Sequence, residues 1–298
     1  MRRAMRAASD LADPANVHYP TFVSPKIDGI GVVILDGVAY SRKLEPIPNE
    51  YVQRMVKRLN LPHGFHGEMT VAKNNDERTW NRTQSGIMSR DGRPAFIFNV
   101  FDWFQPGHLK MPFVDRYSAL CAWGKKNKHK DRVNIVGQRM AHCAADVRAA
   151  YIEFTAAGYE GLMIRDPNGP YKQGRSTLRE GYLLKMKPEQ SVEMTVTGFE
   201  EQMHNANEAT TARDGRIKRS KHKENMKPKG TLGALLGTAV IKGKKVKVRV
   251  GSGLSDKFKQ EIWDNQKRWL GRTFTITFND VTVNGLPRNP RVKGERND

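Results

Sequence analysis

The chain has 298 residues, enough for two domains of ordinary size, and 38% of them are hydrophobic, which is adequate for folded cores. Lys and Arg number 51 against 31 Asp and Glu, a formal net charge of +20. Two cysteines, Cys121 and Cys143, exclude a disulfide framework and a CxxC-type zinc site.

The charge points to a polyanionic partner, because basic side chains release the counterions condensed on a phosphate backbone. A solubilising surface, a ribosome-associated protein or a membrane-surface protein are the plainer readings of the same excess. The cysteine usage suits a reducing, cytoplasmic compartment. The basic opening MRRAMRAASDLADP is not followed by an apolar stretch, so it does not read as a secretory signal. No run approaches the roughly 20 apolar residues of a membrane span.

In chain order, Ile30 to Ser41 reads as a hairpin, two runs of β-formers around Asp36-Gly37. Tyr51 to Leu59 has helical spacing. Ala95 to Phe104 is aromatic and β-branched, a buried strand. Helical patterns run from Asp115 to about Lys126 and from Ala144 to about Ala157. Gly161 to Pro167 and Tyr182 to Pro188 read as short strands, each stopped by proline. After Pro188 the composition changes. Ser191 to Glu200 is a strand, and Gln202 to Gly230 is poor in apolar residues and rich in Lys and Arg. A hairpin with Gly243 near its turn follows, then an amphipathic helix ended by Gly271 and a final strand, Arg272 to Val283. A strand-rich unit with one helix suits a small β-barrel of the OB type. The expected boundaries are 1–188 and 189–298, with a basic insert at about 202–230.

Lys26-Ile27-Asp28-Gly29 stands just before the first hairpin. Alone, K-x-D-G is weak and reads as a surface turn. Further along come His66-Gly67-Glu68, Phe101-Asp102, Glu160 to Arg165, and Leu184 to Lys187. This ordered set resembles the covalent nucleotidyltransferases, which comprise DNA ligases, RNA ligases and mRNA capping enzymes. Tyr171 to Pro188, with Pro287-Arg288-x-Pro290 and Gly294-x-Arg296, is similar to the minimal two-domain DNA ligases of chloroviruses and bacteriophages. The resemblance implies an α+β, ATP-grasp-like adenylation domain followed by an OB-fold.

It also implies a reaction. The Lys26 amine would attack the α-phosphate of ATP; AMP would pass to a 5′-phosphate, and a 3′-hydroxyl would then seal the nick in duplex DNA. An ordinary lysine, of pKa about 10.4, is protonated and inert at neutral pH. Nearby positive charge favours the neutral amine, and Lys185, Lys187 and a divalent cation (Mg2+ or Mn2+) would supply it. Lys185 and Lys187 alternate along a strand and so share a face, although an edge strand guarded by lysines would look the same.

By resemblance, Asp28 belongs with the catalytic residues and Ser24 with the nucleotide-binding ones. Glu68 would hold the ribose hydroxyl, Phe101 would stack on adenine, and Glu160 would bind the metal through oxygen. Arg42 would grip the 5′-phosphate of the nick, and Arg175 would contact the nucleotide or DNA phosphate. Arg288 and Arg296 would orient pyrophosphate. Trp80, after the hydrophilic stretch Lys73 to Arg78, would lie at the DNA surface. For each of these the plainer reading is a solvated charge or a packing aromatic.

Two features depart from the pattern: Gly31 stands where ligases often carry Arg, and Asn289 and Lys293 make the C-terminal motif more polar. The basic insert would be disordered without DNA and close on it as a clamp. A monomer, encoded by a virus or phage and serving replication or repair, completes the expectation. An RNA ligase or capping enzyme, or a non-enzymatic basic nucleic-acid binder, are the alternatives.

Overall fold

The computed structural model describes all residues except 1–2, 10–11, 72–78, 106, 128–130, 221, 280, 283 and 297–298. The hydrophilic stretch Lys73 to Arg78 therefore lies outside the described residues. The chain divides into two compact units, Met1–Lys187 with Ala212–Arg216, and Pro188–Thr211 with Ile217–Asp298.

The strands of the first unit are β1 (Thr21–Lys26), β2 (Ile30–Leu35), β3 (Val38–Ser41), β4 (Phe65–Thr70), β5 (Ile97–Trp103), β6 (Val133–Ile135), β7 (Arg139–Ala141), β8 (Gly161–Arg165) and β9 (Leu183–Met186). Its helices are α1 (Glu50–Arg58), α2 (Thr79–Met88), α3 (Phe113–Lys126) and α4 (Ala144–Ala156). They form a four-stranded sheet ordered β7-β1-β8-β9 and a five-stranded sheet ordered β3-β2-β4-β5-β6. All pairs are antiparallel except β5 with β6.

Local chemistry explains the elements. Asn49 caps α1, its side chain accepting from the Val52 amide at 2.9 Å. Glu50 sits in the first turn and Lys57 and Arg58 in the last, the arrangement the helix dipole favours. Val52 and Val56 then point at the five-stranded sheet and join a core with Val32, Ile34, Phe65 and Phe98. A second core packs Val147 and Ala150 of α4 on Val23, Leu162 and Ile164 of the four-stranded sheet. A third, smaller cluster joins Met5 of the N-terminal segment to Val33, Phe104, Tyr171 and Leu183.

The second unit contains β10 (Gln190–Asn205), β11 (Ala209–Thr211), β12 (Ile217–Arg219), β13 (Met226–Ile241), β14 (Lys244–Val250), α5 (Asp256–Asp264), α6 (Gln266–Trp269), β15 (Thr273–Phe278) and β16 (Arg291–Glu295). Five of the strands form a sheet ordered β14-β13-β10-β15-β16 around Met194, Leu235, Val250, Ile262 and Phe274. The helical segment falls between the third and fourth strands of this sheet, and α5 packs on β13, the layout of an OB-fold. Along β14, Lys245, Lys247 and Arg249 face solvent while Val248 and Val250 face the core, the period of a half-buried strand. The expected single helix is broken at Asn265, whose ψ of 38° lies off the helical region.

The basic insert departs from expectation. Residues 202–230 are not featureless: β10 and β13 continue as a paired arm, with Met203 opposite Pro228 and Asn205 opposite Met226. Near the tip β11 pairs with β12. Amide side chains do the ordering that apolar packing does elsewhere. Asn207 donates to the carbonyls of Ser220 at 3.1 Å and His222 at 2.9 Å, and Asn205 donates to Ser220 at 2.7 Å. Low apolar content is therefore no guide to disorder in a segment whose strands are paired by register.

Candidate active site

A cavity of about 340 Å³ in the first unit collects most of the residues singled out above. Lys26 ends β1, and the close approach of the next turn to β4 fixes where the chain goes. A Cβ at Gly29 would lie 2.5 Å from the Met69 carbonyl oxygen, so only glycine fits. Glu160 precedes β8, and its amide donates to the Lys26 carbonyl at 3.1 Å. Gly161 follows with φ of 150°, and a Cβ there would lie 2.1 Å from the Met186 carbonyl oxygen. Those two glycines let three strand ends converge.

The Lys26 Nζ donates to Glu160 Oε2, and the Lys187 Nζ lies 3.7 Å from Glu160 Oε1. Lys185 also lines the cavity, but its Nζ donates to the carbonyls of Ala8 at 2.5 Å and Ser9 at 2.6 Å. Lys185 and Lys187 thus share a face, as alternation along the strand requires, yet do different work.

From the five-stranded sheet comes Glu68, opposite Gly31 in register. Its Oε2 is buried and, among the described residues, has no hydrogen-bond partner. Burial first, and the Glu160 carboxylate in the same direction, push the Glu68 carboxyl up to about 7 against the pull of Lys26. A buried acceptor without a donor is costly, so this atom is set for a hydroxyl or amine from outside.

Phe101 contacts the His66 ring, 4.8 Å away centroid to centroid, and the Arg165 guanidinium, 5.6 Å from its ring centre. Ser24, Arg42 and Arg175 complete the expected residues on the wall, and the Arg175 Nη1 donates to Ala7 O at 2.9 Å. Four expected residues do not line the cavity. Asp28 lies beside it, near enough for its charge to be felt at Glu68. Trp80 is half-buried at the start of α2. Arg288 and Arg296 belong to the second unit, where Arg296 pairs with Glu193 of β10.

Other residues on the wall or behind it carry no sequence-based assignment. Asp102 is fully buried and takes a two-point ion pair from Arg116, at 2.8 and 3.1 Å, and a third contact from Arg165. Burial alone would raise Asp102, but Arg165 and Arg116 outweigh it and hold it below the usual carboxylate range. The network ties β5 to β8 and so sets Phe101 against the Glu160 turn. Both Asp102 and Arg165 stand inside motifs that carry the resemblance, so the signal was present; it marks scaffold rather than chemistry. His66 is buried, its pKa lowered by burial to about 4, and it meets the Tyr171 hydroxyl at 3.0 Å. Arg6, from the N-terminal segment, also lines the cavity.

Among the described residues no group of three or more His, Cys, Asp or Glu could hold a metal ion by itself. The donor set suits a hard cation held by one carboxylate plus substrate phosphate oxygens, the usual manner of Mg2+. Nor is any helix, among the described residues, long and apolar enough to cross a membrane.

A family model for the ATP dependent DNA ligase domain matches residues 15–187, and one for the DNA ligase OB-like domain matches residues 225–296. The chain belongs to the ATP-dependent DNA ligase family. It is similar to the DNA ligase of African swine fever virus, 30% identical over 91 residues, which are 30% of this chain and 22% of that protein. The match thus spans about a fifth of that relative's length. In fold it is similar to the chlorella virus DNA ligase–adenylate, with a TM-score of 0.57 at 24% identity over 99% of this chain and 98% of that one. A Lig E DNA ligase has a TM-score of 0.68 at 22% identity, covering 99% of each chain.

Proposed function

We propose that this chain is a nick-sealing DNA ligase that uses ATP, with Lys26 as nucleophile. The observation that carries the reading is the cavity itself. The Lys26 amine is paired with Glu160 on one wall, and a buried Glu68 oxygen, without a partner among the described residues, stands on another. Residues 1–188 would serve as the adenylation domain and residues 189–298 as the OB domain.

In the first step the Lys26 nitrogen, once its ammonium has given up a proton to solvent, forms a bond to the α-phosphorus while the bond to pyrophosphate breaks. As Lys26 turns from Glu160, Lys187 remains near the same carboxylate and keeps its charge paired. Glu68 accepts the ribose hydroxyl that its Oε2 lacks. Phe101, in contact with His66 and Arg165, offers a face to the adenine. Glu160 would hold Mg2+ or Mn2+ together with substrate phosphate oxygens, and the cation supplies positive charge against that of the phosphates.

In the second step AMP passes from Lys26 to the 5′-phosphate of the nick, near Arg42 and Arg175. In the third the 3′-hydroxyl attacks and AMP leaves. Ser24 and Asp28 are assigned to nucleotide and catalysis, Trp80 to the DNA, and Arg288 and Arg296 to pyrophosphate, on the family pattern. The arm at 202–230, with a single chain acting alone, would grip duplex DNA.

The test is incubation with α-labelled ATP followed by nicked duplex. Label should move to protein, then to DNA, and be released on sealing. A protein that takes label from GTP, or seals only RNA, would replace this reading with a capping or RNA-ligase one. A protein that takes no label is a binder only.

A further inference from the structure

The cations on the cavity wall divide into two kinds. Lys26 and Lys187 face Glu160, Arg165 contacts Asp102, and Lys185 and Arg175 donate to carbonyls of the N-terminal segment. Among the described residues, the guanidiniums of Arg6 and Arg42 have no ion-pair or hydrogen-bond partner.

Arg6 is held there by its backbone. Its amide donates to Gly174 O at 2.7 Å and its carbonyl accepts from Ser176 N at 2.8 Å. Next to it Met5 is buried, with its amide donating to the Tyr171 hydroxyl at 3.2 Å. The side chain is therefore presented from a fixed strand of chain, not from a free tail. Burial, then the neighbouring guanidiniums with Arg175 foremost and Arg42 among them, lower its pKa. Arg6 is half-buried and Arg42 exposed, so solvent reaches both, and cations crowded on one wall favour an anion that joins them.

Gly31 supplies the second, independent observation. It faces the same cavity, and the nearest atoms to a Cβ built on it would be Glu68 Oε1 at 3.4 Å, the Arg42 Cβ at 3.8 Å and Glu68 Cδ at 3.9 Å, ordinary contact distances. The wall has room for a side chain beside Arg42, and this chain puts none there. In the pattern set out above, an arginine occupies that place.

We propose that Arg6 and Arg42 form one phosphate-binding pair, Arg6 delivering from the N-terminal segment the guanidinium that position 31 lacks. The ligand is a phosphate group, either the polyphosphate of the nucleotide or the 5′-phosphate of the polynucleotide. The inference rests on the nucleotidyltransferase reading of the cavity, and the experiment separates the two. Arg6→Ala, Arg6→Lys and the double variant Arg6→Ala/Gly31→Arg are made in the full chain and matched to the parent by thermal melting.

Two arms are measured: labelling of the protein by ATP, and single-turnover transfer of AMP from labelled protein to a 5′-phosphorylated nick. Arg6→Ala should lose roughly tenfold or more in one arm, the size of a charge-assisted contact. The first arm identifies the nucleotide phosphates, the second the 5′-phosphate. Arg6→Lys should retain part of the rate, and Gly31→Arg should restore most of what Arg6→Ala loses. Rates within about twofold of the parent in both arms, or a loss that Gly31→Arg leaves untouched, overturn the proposal. If the parent takes no label, the functional reading has failed instead. Calorimetric binding of inorganic tripolyphosphate then still decides: binding weakened by Arg6→Ala and recovered by Gly31→Arg sustains the pair, and unchanged binding refutes it.

Discussion

The Lys26 cavity and the arm of the second unit both carry many charged side chains, but different forces shape them. The cavity is lined by charged and apolar side chains in about equal part, and its charged groups are placed by apolar cores behind it and by buried neighbours such as the Asp102 network. The arm has no core of its own. All residues of β11 and β12 are exposed, Ile217 at 73%, and pairing is kept by register and by amides such as Asn207. The cavity should therefore answer to single substitutions at depth, whereas the arm should tolerate them and answer only to loss of the segment. Ranked by their effect on lysine labelling, four changes test this contrast.

Lys26→Ala should abolish labelling by ATP, because no other amine shares its contact with Glu160 in the right geometry. Lys187 is the nearest substitute, and it is held 3.7 Å from the other oxygen of that carboxylate. Retention of labelling near the parent rate would remove Lys26 from the reaction and with it the meaning given to the cavity.

Asp102→Ala strands two buried guanidiniums. Breaking a buried ion pair by deleting one partner costs about 3–5 kcal/mol, read by denaturant unfolding. Labelling should fall as well, because Phe101 and the Glu160 turn lose their common anchor. A loss below about 1 kcal/mol, the range of exposed pairs, would show that the network is solvated and does not brace the cavity.

Glu68→Gln tests the cavity by pH. The Glu68 carboxyl stands at about 7 in the folded chain against 4.5 as a free group. The folded state then holds the extra proton, so this residue lowers stability as pH rises through that window. His66 does the reverse. Its pKa falls to about 4 from 6.5, so the unfolded state holds the extra proton and stability rises with pH between those values. The two slopes oppose each other where they overlap. Removing the titration of Glu68 should expose the rising slope of His66 below about pH 6.5, with a swing of up to about 3 kcal/mol at roughly 1.4 kcal/mol per unit. Melting curves across pH 4.5 to 7 read it directly; parallel profiles for parent and variant would mean that Glu68 is solvated. Labelling should weaken but persist, since the amide oxygen can still accept from a hydroxyl.

These sites were unequally legible in the sequence. Lys26, Glu68, Phe101, Glu160 and Lys187 were readable through the motifs that carry the family resemblance, and the structure brings them to one cavity. The strand β4 was harder to see: His66, Gly67 and Glu68 at its centre have poor strand character, and pairing on both sides imposes the conformation. Arg116 was hidden for a different reason. A charged residue in an amphipathic helix reads as solvent-facing, and only the fold reveals Asp102 beneath it. Arg6 looked like part of a basic leader, because nothing local announces that residues 4–8 pair with a loop near Gly174 and with β9. The order of the arm was missed because it resides in cross-strand register between segments some 20 residues apart, a relation that composition does not express.

Deleting Met203 to Lys229 and closing the gap with a short Gly/Ser turn should have the least effect on labelling of the four. Lys26, Glu68, Phe101, Glu160, Lys185 and Lys187 all lie outside the segment. The barrel should also survive, since its core residues Met194, Val196, Leu235, Val250 and Phe274 are outside it too, and Leu232 is the nearest buried one. What should change is DNA affinity. If Lys and Arg of the arm touch phosphates, each lost contact lowers the slope of log affinity against log salt by roughly 0.9. Titration of a nicked duplex at several salt concentrations, with labelling measured in parallel, gives both quantities. An unchanged slope would leave the arm as a passive loop. If labelling collapsed together with binding, the arm would be supporting the adenylation fold, and the contrast between a core-braced cavity and an arm kept by strand pairing would have to be abandoned.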